Sequence, residues 1–338
     1  MRSITLSLLI CALAFFAIGC QSLGLTSAKK KPKGLVIRTA DELTTTPLYK
    51  MSEREMTGYI KWLQDAEPSL PKRVMHLARK NIGQPYELYL LGESPAEIID
   101  PQPLYDLKKS DCVVYAEHTY AMALASDWPT FFRTLQRIRY IDGRIGVTTR
   151  NHYTEADWTV NNEWLLRDVT AEVAGESIAS YPLTVNRKAF FKGRYALATD
   201  HEKQKLTVTY VPLSAMDSAM PQLQDGDFVN VVVGPKDSDS AYVTHVGLIG
   251  VAEDGITRHF VHSTPPEVRE EPLTAYIDRS LNRAAKAEKK ARGKKDAKPV
   301  MHLKGFRFFR LQDDPMANLR KIDGPNAPKI SMPWDAAP

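Results

Sequence analysis

The 338-residue chain has three cysteines, Cys11, Cys20 and Cys112. Cys112 lies in "KKSDCVVYAEHTY", residues 108 to 120. A cysteine nucleophile needs a lowered thiol pKa, a base within reach and a group to orient that base. The unpaired amides and positive dipole end of a helix N-terminus supply the first requirement. Ser110 is the expected N-cap, which puts Cys112 in the first turn. The charge on Asp111 opposes a thiolate unless that side chain serves the N-terminus itself. A cysteine beside Val113 and Val114 also suits a core position, and the local pattern leaves both roles open.

The base of such a site is a histidine. His76, His118, His152, His201, His245, His259, His262 and His302 are the candidates. His245 and His262 flank Asp254-Gly255, a strong hairpin turn. A two-residue turn there pairs Glu253 with Ile256, sets Gly247 opposite His262 and sets His259 opposite Gly250. His245 and His262 then share one face as diagonal neighbours about 7–8 Å apart at the backbone. A slip of one residue would select His259 instead. Taken singly, each histidine is more often a surface or core residue. A metal site competes through the spacing of His259 and His262, but Phe260-Val261 between them predicts strand, which sends the two rings to opposite faces. Neither CxxC nor HExxH occurs, so no metal is expected.

Helices come first in the elements that must position these residues. "SEREMTGYIKWLQ" begins one after Ser52. "SLPKRVMHLARKNIG" is a second, with Val74, Leu77, Ala78 and Ile82 as its apolar face and Gly83 as its stop. The Cys112 helix has Val113, Ala116, Tyr120 and Leu124 on one stripe. "DWPTFFRTLQRIRY" is a fourth. After Gly146 the pattern turns to short strands, with "DFVNVVVG", "THVGLIGVAEDGITRHFVHS" and "GFRFFRL" β-rich. The fold class is α+β, N-terminal helices packed on an antiparallel sheet. Residues 282–299 are Lys/Ala-rich and predict a solvated surface excursion. Residues 313–338 form a Pro-rich tail, whose end, residues 323–338, is expected to be extended.

The N-terminus, Met1-Arg2 followed by an apolar run from Ile4 to Ile18 and then Gly19-Cys20, has the form of an export signal. The run is shorter than the ~20 residues of a membrane-spanning helix. "AIGC" resembles a lipobox, although Ala17 stands where leucine is usual. Residues 1–19 are thus expected to leave as a lipoprotein signal peptide, Cys20 to carry lipid, and residues 20–50 to form a tether bearing Lys29, Lys30, Lys31 and Lys33. A plain secretory signal cut at the same bond is the alternative. Gln21 after Cys20 points to outer-membrane sorting in a Gram-negative cell. Cys11 leaves with the signal, so Cys112 has no disulfide partner in an oxidising compartment. The formal charge of +5 sits mostly in two short runs and gives no sign of nucleic-acid binding. Oligomeric state is not legible.

In order along the chain, Gly83-Gln84-Pro85-Tyr86, Asp111-Cys112, Gly226-Asp227, His245-Val246-Gly247 and His262 resemble the NlpC-type cysteine peptidases of bacterial cell walls. Arg150-Asn151-His152-Tyr153 and Asp157-Trp158, before "LLRDVTAEV", are similar to a narrower branch, N-acetylmuramoyl-L-alanine amidase-like proteins. The resemblance implies a papain-like catalytic domain over residues 51–312 and amide hydrolysis in peptidoglycan without a cofactor. It makes Cys112 the nucleophile, His245 the base, His262 the residue orienting it, and the Cys112 amide and Tyr86 hydroxyl the oxyanion donors. Arg150, His152, Tyr153 and Trp158 become candidate substrate contacts, with core packing the competing role for the aromatics. The expected partners are muropeptides and, through Cys20, a membrane surface. The branch's bond is that between the lactyl group of muramic acid and L-alanine. Cleavage between D-glutamate and a diamino acid is the rival. A catalytically silent wall-binding lipoprotein is the rival of another class, and a lipid acyltransferase is a distant third.

Overall fold

The computed structural model describes residues 38–92, 100–294 and 297–324. The expected signal peptide and Cys20 lie outside the described residues. Eleven α-helical segments are described: α1 Ala40–Thr45, α2 Glu53–Ala66, α3 Leu70–Lys80, α4 Cys112–Leu124, α5 Trp128–Arg139, α6 Thr159–Asn161, α7 Thr170–Ala174, α8 Arg187–Tyr195, α9 Met216–Ala219, α10 Leu273–Ala291 and α11 Pro315–Asp323. The strands are β1 Leu166–Asp168, β2 Ala179–Val185, β3 Gln204–Pro212, β4 Phe228–Pro235, β5 Tyr242–Val251, β6 Arg258–Thr264, β7 Glu267–Pro272 and β8 Met301–Leu311. They form one antiparallel sheet in the order β2-β3-β8-β4-β5-β6-β7, with β1 also paired to β8. No helix among the described residues is long and apolar enough to cross a membrane.

The period of two along a strand divides the central sheet between two cores. Phe228, Val246, Leu248 and Val261 face a cluster built by α2, α3, α4 and α5. Val229, Val231, Ile249 and Phe260 face the other way, against Val173 of α7, Met216 of α9 and Leu273 of α10. Helix α4 is the middle of the first cluster and is buried on every side from Val114 to Ala123, so its predicted stripe understates its burial. Even Glu117 and His118 are inside. Glu117 takes an ion pair from Arg139 at 3.1 Å and a hydrogen bond from the Trp158 indole at 3.0 Å. His118 accepts from the Asp106 amide and shares its other nitrogen with the Val114 carbonyl.

Three expectations are revised. Ile82 is exposed, because α3 ends at Lys80 and its helical stripe cannot extend past Asn81. The second half of the expected tether belongs to the domain: α1 carries a capping box, Leu48 and Met51 are buried in the first core, and Arg38 pairs with Glu55. The first part of the expected tail belongs to the domain as α11, capped by Asp314, with Leu319 buried against the same core, and the stretch expected to be extended lies almost wholly outside the described residues. Residues 282–291 of the Lys/Ala-rich stretch are the largely exposed far part of α10, in keeping with a surface excursion; the helix begins at Leu273 directly after β7 and lies over the second face of the sheet.

Candidate active site

The hairpin register follows the turn chemistry. Asp254 accepts hydrogen bonds from the amides of Ile256 and Thr257, and Gly255 has φ +70°. Gly250 pairs with His259 and Leu248 with Val261. His245 and His262 therefore share the face under α10, and the His245 Nε2 to His262 Nδ1 distance is 2.6 Å. His259 is on the other face, paired with Glu270 at 2.9 Å. A bulge at Thr244, where β4 switches its partner from His245 to Val243, adjoins His245.

Cys112 reaches this place from the opposite side of the sheet. The β5–β6 pairing stops at Leu248–Val261 although both strands continue. The start of α4 meets both strands beyond that point. Val246, one residue from His245, belongs to the core cluster that Cys112 packs against, and its amide acts on the Cys112 thiol. Ser263, one residue from His262, donates its hydroxyl to the Ser110 carbonyl at 2.8 Å. Among the described residues no hydrogen bond joins Cys112 directly to His245.

Asp111, not Ser110, is the N-cap; its carboxylate accepts from the amides of Val113 and Val114. Ser110 is instead buried in a clamp. Its hydroxyl donates to Gln84 Oε1 at 2.8 Å, and Tyr86 forms a bridge with its backbone. The Gly83-to-Tyr86 motif thus has a mechanical meaning: Gly83 turns at φ +86°, buried Gln84 grips Ser110, and Tyr86 is delivered beside Cys112. Gly226-Asp227 is structural, since Gly226 accepts from the Tyr120 hydroxyl of α4 and Asp227 pairs with Arg310 of β8 at 2.9 Å.

Cys112 is half-buried, and burial followed by the Asp111 charge pushes its thiol up to about 12, against the amides of Val246, Val113 and Cys112 itself. The expected thiolate at a helix start is therefore not the resting form: the cap supplies a carboxylate beside the sulfur and the surroundings exclude water. Burial likewise lowers His245 to about 3, with His262, Arg269 and Arg279 acting in the same direction. Both partners rest neutral.

Sequence reading missed three contributors. Glu271 at the end of β7 accepts from His262 Nε2 at 2.9 Å. Arg279 of α10 grips both oxygens of Glu271, and Tyr276 packs edge-on against His262 at 5.6 Å. Burial would raise Glu271, but the hydrogen bonds from His262 and Arg279 prevail and hold it at about 2. This carboxylate can only accept, so His262 carries its proton on Nε2 and offers a bare Nδ1. His245 must then carry its proton on Nε2, which leaves its Nδ1 as the bare base. Parity could have marked Glu271, which is two residues from Arg269, the partner of His262 on β7.

The four expected substrate contacts are engaged elsewhere. Trp158 is 2% exposed, stacked on Phe228 at 4.5 Å and bonded to Glu117. Arg150 is 5% exposed, in an ion pair with Asp100 at 3.1 Å and donating to the Tyr195 hydroxyl. His152 donates to the Val147 carbonyl and packs on Phe190 and Phe191 of α8. Tyr153 lies between Phe190 and the Arg187 guanidinium. No hydrogen bond, ion pair or ring contact among the described residues joins these four to Cys112, His245 or His262. Arg150 and Trp158 are spent on the interior; a carboxylate already neutralises the first, and the second has no free face.

A cavity of about 570 Å³ opens beside His245 and His262, between β5, β6 and α10. Among the described residues no group of three or more His, Cys, Asp or Glu side chains is placed to hold a metal ion.

The model of the N-acetylmuramoyl-L-alanine amidase-like family matches residues 76–282. In fold, the chain is similar to a Legionella pneumophila protein, with a TM-score of 0.60 at 19% identity over 77% of this chain and 95% of that one. It is also similar to an N-acetylmuramoyl-L-alanine amidase from Bacteroides uniformis, with a TM-score of 0.53 at 22% identity over 72% of this chain and 99% of that one. No curated protein sequence matches it.

Proposed function

Because the chain belongs to the N-acetylmuramoyl-L-alanine amidase-like family, we propose that it hydrolyses the amide between the lactyl group of muramic acid and L-alanine, with Cys112 as nucleophile. The hydrogen-bonded run His245–His262–Glu271–Arg279, which starts on the strand whose Val246 shares a packed cluster with Cys112, carries this reading. It supplies a base of fixed tautomer next to a thiol. Since thiol and imidazole rest neutral, proton transfer to His245 Nδ1 accompanies attack on the carbonyl, and no free thiolate need accumulate. Asp111 occupies the amides of Val113 and Val114, which leaves the Cys112 amide for the oxyanion. Tyr86 is the second donor; burial, then Cys112 and Asp111 beside it, raise its phenol to about 12, so it keeps its proton. One such donor is worth about 3 kcal/mol. The His245 imidazolium next protonates the departing amine of L-alanine. Water then hydrolyses the thioester, restoring the thiol.

The chemistry requires no cofactor. The signal and Cys20 support placement as an exported lipoprotein whose catalytic domain faces peptidoglycan. Mass spectrometry of muropeptides digested by the wild type and by Cys112→Ala tests the proposal. A free lactyl carboxylate together with a stem peptide starting at L-alanine is the expected product pair, absent from the variant digest. Cleavage inside the stem would replace this assignment with the D-glutamyl endopeptidase. Intact muropeptides throughout would leave a silent wall binder, and unchanged turnover by Cys112→Ala would remove the cysteine from the mechanism.

A further inference from the structure

The cavity beside the histidine pair has a one-signed lining. Arg269, Arg279 and Arg283 line it, and no acidic residue does. Arg279 is neutralised by its two-oxygen grip on Glu271. Arg269 stands 3.7 Å from the same carboxylate, which is already shared, and its Nε is buried without a hydrogen-bond partner. Arg283 is exposed, one turn beyond Arg279 on α10. Arg283 thus faces a partly enclosed space with no acidic partner among the described residues, and Arg269 has only a distant share of Glu271. The floor between them is apolar, from Val231, Leu303 and Ala284.

The position of the cavity says which part of a substrate fills it. His245 lines the cavity and Cys112 does not. The acyl carbon must sit on the sulfur, whereas the departing nitrogen must sit on the imidazole that protonates it. What extends past His245 is therefore the leaving amine and the peptide attached to it. We infer that this cavity is the leaving-peptide subsite, and that Arg269 and Arg283 bind a carboxylate of the stem peptide. The inference rests on the amidase reading above. In a stem joined through its γ-carboxyl, D-glutamate presents a free α-carboxylate one residue after the departing L-alanine. One residue of extended chain spans about 3.3–3.6 Å, so the charge falls a short way past His245. Guanidinium groups are suited to this role by their planar, two-pronged match to a carboxylate.

Amidation of that carboxylate is the decisive perturbation. Hydrolysis of N-acetylmuramoyl-L-alanyl-D-glutamate is to be compared with that of its D-isoglutamine counterpart, for the full chain and for Arg269→Gln, Arg283→Gln and Lys290→Gln. The last removes the same charge from α10 outside the cavity lining. Wild type should prefer the acid, by roughly tenfold in KM, the size of one partly desolvated charge-assisted contact. Each arginine variant should lose most of that preference through KM on the acid alone, and Lys290→Gln should keep it. Equal KM values for acid and amide in the wild type, or an equal loss with Lys290→Gln, would overturn the subsite. Failure of the amidase reading looks different: neither compound would be cut at the lactyl bond by any form of the protein.

Discussion

Gly247 separates two histidines that must touch, and its lack of a side chain is what lets them. A Cβ built there lies 2.5 Å from Phe260 Cε2, 2.8 Å from His262 Cβ and 2.8 Å from the Val261 carbonyl oxygen. These fall short of ordinary contact by roughly 0.6–0.9 Å. Neither neighbour can turn aside: Phe260 is fully buried with His262 stacked on it at 4.4 Å, and the carbonyl belongs to the backbone. Strand β6 must therefore move. Overpacking of this kind costs about 1–3 kcal/mol. A displacement approaching 1 Å between His245 and His262 costs on the order of 10–100-fold in kcat. Gly250, three residues along the same strand, is the control. Its Cβ would meet the Arg79 guanidinium at 2.8 Å and the Met75 methyl at 2.9 Å, both ends of flexible side chains. Gly247→Ala should lower both the urea midpoint and kcat, and Gly250→Ala should change stability by less than about 1 kcal/mol with kcat retained. Equal behaviour of the two variants, in chemical denaturation and muropeptide turnover, would refute the reasoning.

Four further outcomes are expected. Glu271→Gln can donate to His262 and release the tautomer, so kcat should fall about 100-fold with KM little changed, and nitrogen NMR should show His245 Nδ1 protonated; an unaltered His245 tautomer would count against the relay. Alkylation of Cys112 by iodoacetamide should rise about tenfold per pH unit through pH 7–9, because the thiol is pushed up to about 12; a plateau from acid pH would mean a preformed thiolate. Burial holds His118 and His152 at about 4 and His245 at about 3. The unfolded chain therefore binds more protons below about pH 6.5, and stability should fall by several kcal/mol from pH 7 to pH 4 by calorimetry, whereas a flat profile would contradict their buried neutral state. Glu117→Leu strands Arg139 and the Trp158 indole inside, and should cost about 3–5 kcal/mol in denaturant titration.

The histidine pair was legible because a two-residue turn fixes register and register fixes faces. Asp254-Gly255 left one arrangement once no slip intervened. Helix α4 was legible as an element, but not its cap: Ser110 and Asp111 both cap helices well, and only the packing of Gln84 and Ser263 assigns Ser110 to another task. The interior partners of Arg150 and Trp158 were not legible for a related reason. Each residue type serves a ligand or an interior, and the deciding partners, Asp100 and Glu117, lie far along the chain. Glu271 and Arg279 were hidden in a stretch whose charge predicts nothing but solvent. Their meaning arises because β7 feeds straight into α10, which folds the arginine back over the strand end.

That junction makes α10 a cantilever. Its root is clamped by the Glu271–Arg279 grip and by Leu273 and Tyr276, and Glu288 is paired with His302 of β8 at 3.1 Å, while exposed lysines flank the end beyond it. Length or composition past Glu288 can drift without mechanical consequence for the proton relay. A single break at the root would disable the tautomer control and the carboxylate-reading wall together.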